Sequence, residues 1–248
     1  MIKNIIIGKN STITKYTYRY LKNTCVLSAN ELREKVLKKE IKNFKKVNLI
    51  FNNFYPSKNL NRVNTNDYKK FCELSLEKTS FVLAKIPSSK INKIIYTSSA
   101  SVYRIPENLN NPNQDDFNRE LYSSFKLAAE KLIINFSNNN KKDYFIMRLF
   151  NIYGNSTDEF SFIENVINSK KNNRKINLIN NGNSIRDFIH VKDVAKIYKR
   201  FIEKKIKNGI YDLGTGNGYL IKDIIDFSNF SKSKIIKINN INEIHNSI

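Results

Sequence analysis

Ile94-Ile-Tyr-Thr-Ser-Ser-Ala-Ser-Val-Tyr103 is an apolar run that ends in small hydroxyl residues, and Tyr122-Ser-Ser-Phe-Lys126 follows it. The first stretch reads as a buried strand that delivers Ser99 and Ser101 at its carboxyl end. The second opens an amphipathic helix over Tyr122 to Phe136, in which a Tyr and a Lys four residues apart share one face. A tyrosine hydroxyl titrates near ~10, too high for a base at neutral pH. A nearby ammonium favours the phenolate and lowers that value. Tyr122 and Lys126 are therefore candidates for a proton shuttle in a carbinol–ketone interconversion. Ser99, 23 positions before the tyrosine, would hold the same oxygen in line for hydride transfer.

Spacing alone does not carry this reading. Tyr18 and Lys22 repeat it with no serine cluster at a suitable distance upstream, and in a chain rich in both residues such a pair marks a solvated helix face. The strand of hydroxyl residues is what distinguishes Tyr122.

Working outward, apolar runs predict strands at Lys3–Ile7, Cys25–Leu27, Val47–Phe51, Lys93–Thr97, Tyr144–Phe150 and Gly209–Leu213. Helical patterns fall between most of them: Thr12–Leu21, Glu31–Lys42, Thr65–Ala84, Tyr122–Phe136 and Val191–Lys204. Strands alternating with helices imply an α/β fold, a mainly parallel sheet covered on both faces. Asn108 to Asn118, rich in Asn and containing Pro112, predicts a surface loop. In such sheets ligands sit beyond the carboxyl ends of the strands. There Gly8-Lys-Asn-Ser-Thr-Ile-Thr14 keeps one glycine of a phosphate-cradling turn. Ser11 adds a side chain where the backbone approaches a pyrophosphate, and Thr14 adds one where helix and strand pack closely. The amides of Ser11, Thr12 and Ile13 at a helix N-terminus still suit a phosphate.

At 248 residues the chain can bury one sizeable α/β core, or a core plus a small lobe. Its formal charge of +21 invites a polyanion partner, yet Lys is dispersed with Asn and Ile along the whole chain. No zinc-finger, basic-zipper or RNA-binding signature accompanies it, so no nucleic-acid partner is expected. No apolar run of 18 residues exists, which excludes a membrane helix. Cys25 and Cys72 form neither a metal pattern nor a disulfide framework, as in a cytoplasmic protein with reduced thiols. No metal site is expected.

Five segments in order resemble the extended short-chain dehydrogenase/reductase superfamily, its nucleotide-sugar epimerases, dehydratases and ketoreductases. Thr97-Ser-Ser-Ala-Ser-Val-Tyr103 resembles the serine-strand motif, with Arg104 where a glycine is usual, and Tyr122 to Leu132 resembles the catalytic helix. Arg148-Leu-Phe-Asn-Ile-Tyr-Gly154 resembles the segment whose asparagine, here Asn151, meets the substrate diphosphate. Asn181-Gly-Asn-Ser-Ile-Arg-Asp-Phe-Ile-His-Val191 resembles the segment whose arginine, here Arg186, grips it, as a planar guanidinium can. Tyr211-Asp-Leu-Gly-Thr-Gly-Asn-Gly218 resembles the late glycine-rich turn, which is mainly structural. His190, amid Phe188, Ile189 and Val191, reads as a packed histidine.

The resemblance implies a Rossmann-like, doubly wound parallel sheet with a small, curtailed C-terminal substrate lobe. Residues 1–155, completed by about 191–213, would bind NAD(P); 156–190 and 214–248 would form the lobe. Gly8, Lys9, Ser11, Thr12, Ile13, Tyr122 and Lys126 would hold the cofactor. Ser99, Ser101, Asn151 and Arg186 would hold a nucleotide-diphosphate sugar. Ser28, not an acid, follows the second strand, so a 2′-phosphate is not repelled and Lys9 could meet it; this leans toward NADP over NAD. Ala100 and Ser101 occupy the place of a dehydratase's carboxylate pair, which argues against dehydration. A 4-epimerase must retain its nicotinamide and a 4-ketoreductase must exchange it. The reduced glycine turn and the missing acid lean toward the ketoreductase, with the epimerase next and a binding protein without catalysis third. Leu127, Ala128, Leu132 and Ile133 offer apolar and small surface for a homodimer.

Overall fold

The isoleucine-rich runs become strands because β-branched side chains pack well on a pleated surface. The computed structural model describes residues 1–54, 65–104, 114–154, 161–239 and 246–247. The chain begins β1 (Ile2–Ile7), α1 (Thr12–Tyr20), β2 (Thr24–Leu27), α2 (Glu34–Ile41) and β3 (Lys46–Phe51). It continues with α3 (Thr65–Cys72), a π-helical turn over Glu73–Glu77, α4 (Lys78–Lys85), β4 (Ile91–Ser99), α5 (Gln114–Asn139) and β5 (Asp143–Leu149). Next come β6 (Asn151–Tyr153), α6 (Phe162–Lys171), β7 (Ile176–Ile179), β8 (Ile185–His190) and α7 (Val191–Glu203). The last elements are β9 (Gly209–Leu213), β10 (Gly218–Leu220), α8 (Ile221–Phe227), β11 (Ile235–Ile238) and β12 (Asn246–Ser247).

Two compact units form, 1–148 with 194–211 and 149–193 with 212–248. The main sheet has the order β2-β1-β3-β4-β5-β9, with β2, β1, β3 and β4 paired in parallel. Strand order reverses direction between β1 and β3, so the crevice for a ligand opens at their carboxyl ends, where Gly8 and Asn52 stand. One face of this sheet packs Ile5, Ile7, Leu49, Phe51, Ile94 and Tyr96 against Leu37 and Ile41 of α2, Val82 of α4, and Ala129 and Ile133 of α5. Ile6, Ile50 and Ile95, alternating with these, are also fully buried, as a sheet covered on both sides requires. At the opposite end of the strands, Asn48 donates to Asn4 (2.9 Å) and Asn92 donates to Asn48 (2.8 Å), a ladder that satisfies buried amides.

In the second unit β8 is central. It pairs with β10 antiparallel and with β6 and β12 in parallel, while β7 pairs with β11. Val166, Ile176, Leu178, Phe188, Ile221, Ile225 and Phe230 form its core.

Three expectations change. Helix α5 begins at Gln114, so Tyr122 sits inside it rather than opening it, and 114–118 are helical; no Gly or Pro intervenes to stop it. The remainder of the expected loop, 108–113, lies outside the described residues. Ile133 is fully buried against the sheet, so it serves this chain's own fold rather than a partner copy, while Leu132 is half-buried and packs on the same core. Among the described residues, no helix is long and apolar enough to cross a membrane.

Candidate active site

Strand β4 and helix α5 bring Ser99, Tyr122 and Lys126 together. Ser99 lies near enough to the Tyr122 hydroxyl to favour its ionised form, and accepts a hydrogen bond from the backbone N–H of Ser101 at 3.2 Å. The Ser101 hydroxyl is buried and makes no hydrogen bond among the described residues. Lys126 is 4% exposed and its Nζ donates to the carbonyl of Thr97 at 2.7 Å. Aromatic rings enclose it: Nζ lies 4.0 Å from the Phe54 ring centroid, 5.2 Å from that of Tyr96 and 5.7 Å from that of Tyr122. Phe54 in turn packs edge-on against Tyr122 and Phe71.

Burial dominates the ionisation here. Desolvation pushes Tyr122 up to about 12, against a smaller lowering by the Ser99 hydrogen bond. Desolvation likewise brings Lys126 down to about 7, opposed by the charge of Glu130. The expectation that the ammonium lowers the tyrosine is therefore corrected. The lysine's charge is directed at the Thr97 carbonyl, and loss of water sets the tyrosine's direction. At neutral pH Tyr122 is therefore a phenol in the free chain.

Behind this triad lies a polar group that sequence reading missed. Glu130, 1% exposed, receives both Nε (3.1 Å) and Nη2 (2.7 Å) of Arg148 and also the hydroxyl of Ser98. Arg148 also stacks over the Tyr103 ring at 4.5 Å, and its hydrogen bonds to Glu130, more than Tyr103, hold its guanidinium above its ordinary range. One signal was available: Glu130 stands four residues past Lys126 on the same helix face.

At the other end of the crevice, Gly8 has φ of +109°, and a Cβ there would lie 2.5 Å from the backbone of Asn52, so only glycine fits. Ser11 makes no side-chain cap on α1 and no acid stands in its first turn, leaving a helix N-terminus with the electrostatics a phosphate needs. Ile13 is buried, so any contact it makes with a ligand is through its backbone. An acid does stand at the end of β2. Glu31 folds back three residues to accept the N–H of Ser28 at 2.7 Å, and Lys9 lies 3.6 Å from its other oxygen. That hydrogen bond holds its carboxyl below the usual range. The ground for preferring NADP is thus removed: Lys9 already faces a carboxylate.

Tyr18 is exposed and Lys22 lies beyond the end of α1, as a solvated pair should. Asn151 and Arg186 lie in the second unit, on the adjacent strands β6 and β8. Asn151 donates to the carbonyl of Asp187 at 2.9 Å, and Arg186 to that of Ile185 at 3.1 Å. Asp187 is buried and accepts the N–H groups of Thr215 and Gly216 and the Thr215 hydroxyl. A Cβ on Gly214 would fall 2.3 Å from that carboxylate, so the glycine-rich turn is built around Asp187. His190 packs edge-on against Tyr153 and accepts the N–H of Lys192.

The chain belongs to the NAD dependent epimerase/dehydratase family, whose model matches residues 14–214. It is 27% identical over 175 residues to a dTDP-D-glucose 4,6-dehydratase of Dictyostelium discoideum, covering 64% of this chain and 40% of that protein. It is 28% identical over 159 residues to an ADP-L-glycero-D-manno-heptose-6-epimerase of Brachyspira hyodysenteriae, covering 61% and 50%. The chain thus spans half or less of the length of these relatives. Among solved structures, the Thermus thermophilus UDP-glucose 4-epimerase in complex with NAD superposes with a TM-score of 0.76 at 13% identity, over 100% of this chain and 90% of that one. The Thermotoga maritima UDP-glucose 4-epimerase with UDP-glucose gives 0.77 at 16%, over 100% and 89%. At such identities the likeness speaks for the fold.

Proposed function

We propose that this chain is an NAD-dependent enzyme acting on a nucleotide-diphosphate sugar, and that 4-epimerisation is the reaction its site supports best. The observation that carries this is Lys126, enclosed by Phe54, Tyr96 and Tyr122 and donating to the Thr97 carbonyl, one turn along α5 from Tyr122 and beside the strand that ends in Ser99. Nothing in folding requires a buried lysine beside a half-buried phenol; burying the amine costs desolvation.

The residues present fit a dinucleotide. The first turn of α1 would meet the diphosphate, Glu31 the hydroxyls of the adenosine ribose, and Lys126 the nicotinamide ribose. Bound NAD supplies a hydride acceptor. Tyr122, a phenol in the free chain, would take the proton of the sugar hydroxyl and return it only once converted to the phenolate, which the positive charge of bound NAD would favour; Ser99 would orient the same oxygen, and Asn151 and Arg186 would serve the sugar's diphosphate. The lean toward a ketoreductase rested on a lost glycine and a lost acid. Thr14 is hydrogen-bonded in place, and Glu31 supplies a carboxylate. With that grip, retention of NAD takes precedence over exchange.

The test is conversion of UDP- and dTDP-hexoses by the purified chain without added reductant, read by chromatography of the sugar nucleotides. Epimer formation that Tyr122→Phe abolishes supports the reading. Turnover only of a 4-keto sugar with added NADPH supports the ketoreductase instead. Sugar-nucleotide binding with no turnover by either route points to a binding protein.

A further inference from the structure

The site's two halves are joined inside the first unit by hydrogen bonds that no motif of the sequence announces. The Thr97 hydroxyl donates to Oδ1 of Asn52 at 2.5 Å, and Nδ2 of Asn52 donates to the Thr14 hydroxyl at 2.9 Å. Thr14 passes its own hydrogen to the carbonyl of Gly8 at 2.8 Å. Tyr198, fully buried on α7, completes the row at 2.7 Å from the Thr97 hydroxyl, donating to it because that hydroxyl's hydrogen is spent on Asn52. Every member is buried.

We propose that Thr97, with Asn52 and Thr14, is a positioning residue that ties the glycine turn after β1 to the carbonyl holding Lys126, so that dinucleotide cradle and amine are set as one piece. The proposal rests on the cofactor reading given above. Thr97 acts at both ends: its side chain enters the row, and its carbonyl receives Lys126. Asn52 contributes an acceptor on one side and a donor on the other, so a flipped amide would break both bonds. It is also fixed by its own backbone, whose N–H donates to Ile7 at 2.8 Å and which a Cβ on Gly8 would touch at 2.5 Å. Thr14 stands where the dinucleotide fingerprint has its last glycine. Close packing is there replaced by a hydroxyl that grips the turn.

The test uses the full chain with Thr97→Val and Thr14→Val, which keep shape and remove the hydroxyl, Thr97→Ser and Thr14→Ser, which restore it, and the double valine variant. NAD affinity is read by calorimetry. Lys126 titration is read by carbon-13 NMR of labelled lysine, assigned with Lys126→Arg. Tyr96, Tyr122 and Glu130, the titratable groups that face Lys126, stay unchanged throughout. Each valine variant is expected to weaken NAD about tenfold, since buried partners lose their bonds, with the serine variants within about threefold of the parent. The double variant should be no more than about threefold worse than the worse single one, because either break uncouples the row. The Lys126 midpoint should fall in both valine variants, as its carbonyl loses its fixed position. Multiplying effects, as independent sites give, would overturn the proposal. So would a Thr14→Val variant that melts earlier yet leaves the Lys126 midpoint where it was. Should the parent bind no dinucleotide, the cofactor reading fails, and the Lys126 midpoint in Thr14→Val alone decides: moved, the row stands; unmoved, it falls.

Discussion

Lys126 donates to the carbonyl of Thr97 at 2.7 Å, and this bond, not a contact with the tyrosine one turn earlier, is where its charge is directed. Buried among Phe54, Tyr96 and Tyr122, the amine loses water on every side and titrates near about 7. The folded value lies below the ordinary 10.5, so the charged form is the one folding disfavours. Between about 7 and 10.5 the unfolded chain binds the extra proton, and stability from this group rises with pH over that window. Lys126→Met removes the effect. Its stability relative to the parent should be greatest near pH 6 and shrink by at least about 1 kcal/mol by pH 10, measured by urea unfolding at both values.

Tyr122 is a protonated phenol over the same range, pushed up to about 12 by burial. Tyr122→Phe keeps the ring against Phe54 and removes only the hydroxyl. Turnover should fall by about 10²–10⁴, the usual worth of a positioned acid–base group, with NAD affinity within about threefold of the parent. Steady-state rates and calorimetry on one preparation check both.

Glu130 and Arg148 form a bidentate pair buried behind the triad. Arg148→Leu leaves the carboxylate with the Ser98 hydroxyl as its hydrogen-bond partner among the described residues and should cost about 3–5 kcal/mol. Changing both residues to apolar ones of similar volume should recover most of that loss, because a buried ion pair barely repays its desolvation. Equilibrium unfolding of the single and double variants measures the difference.

On the proposed reading, Glu31 is the acid that would decide between the two dinucleotides. Its carboxylate is ordered by the Ser28 amide and partly neutralised by Lys9. Glu31→Gln should weaken NAD about tenfold and improve NADP, since a charged hydrogen bond is lost and a repulsion to the 2′-phosphate relieved. Unchanged preference in paired titrations would remove this role.

Much of this was legible in the sequence. Short β-branched runs with helical spacing between them gave the sheet, and the hydroxyl-ended strand with a Tyr and a Lys on one helix face gave the triad. What escaped depends on contacts between distant residues. Glu31 lies three residues past the position a motif inspects, and a local turn returns it there. Thr14 looked like damage to a glycine motif, because its partner Asn52 is 38 residues away. Ionisation was misjudged for a similar reason: spacing shows which groups are neighbours, while burial decides which form they take. Ile133 was assigned to a partner copy, since one helix face cannot tell a sheet from a second helix until the fold is known.

The most direct test of the whole account is calorimetric titration of the purified chain with NAD and, separately, with NADP. Micromolar binding of NAD, about tenfold tighter than NADP, is the predicted result. Binding of neither would contradict it and leave Ser99, Tyr122 and Lys126 without a hydride to manage.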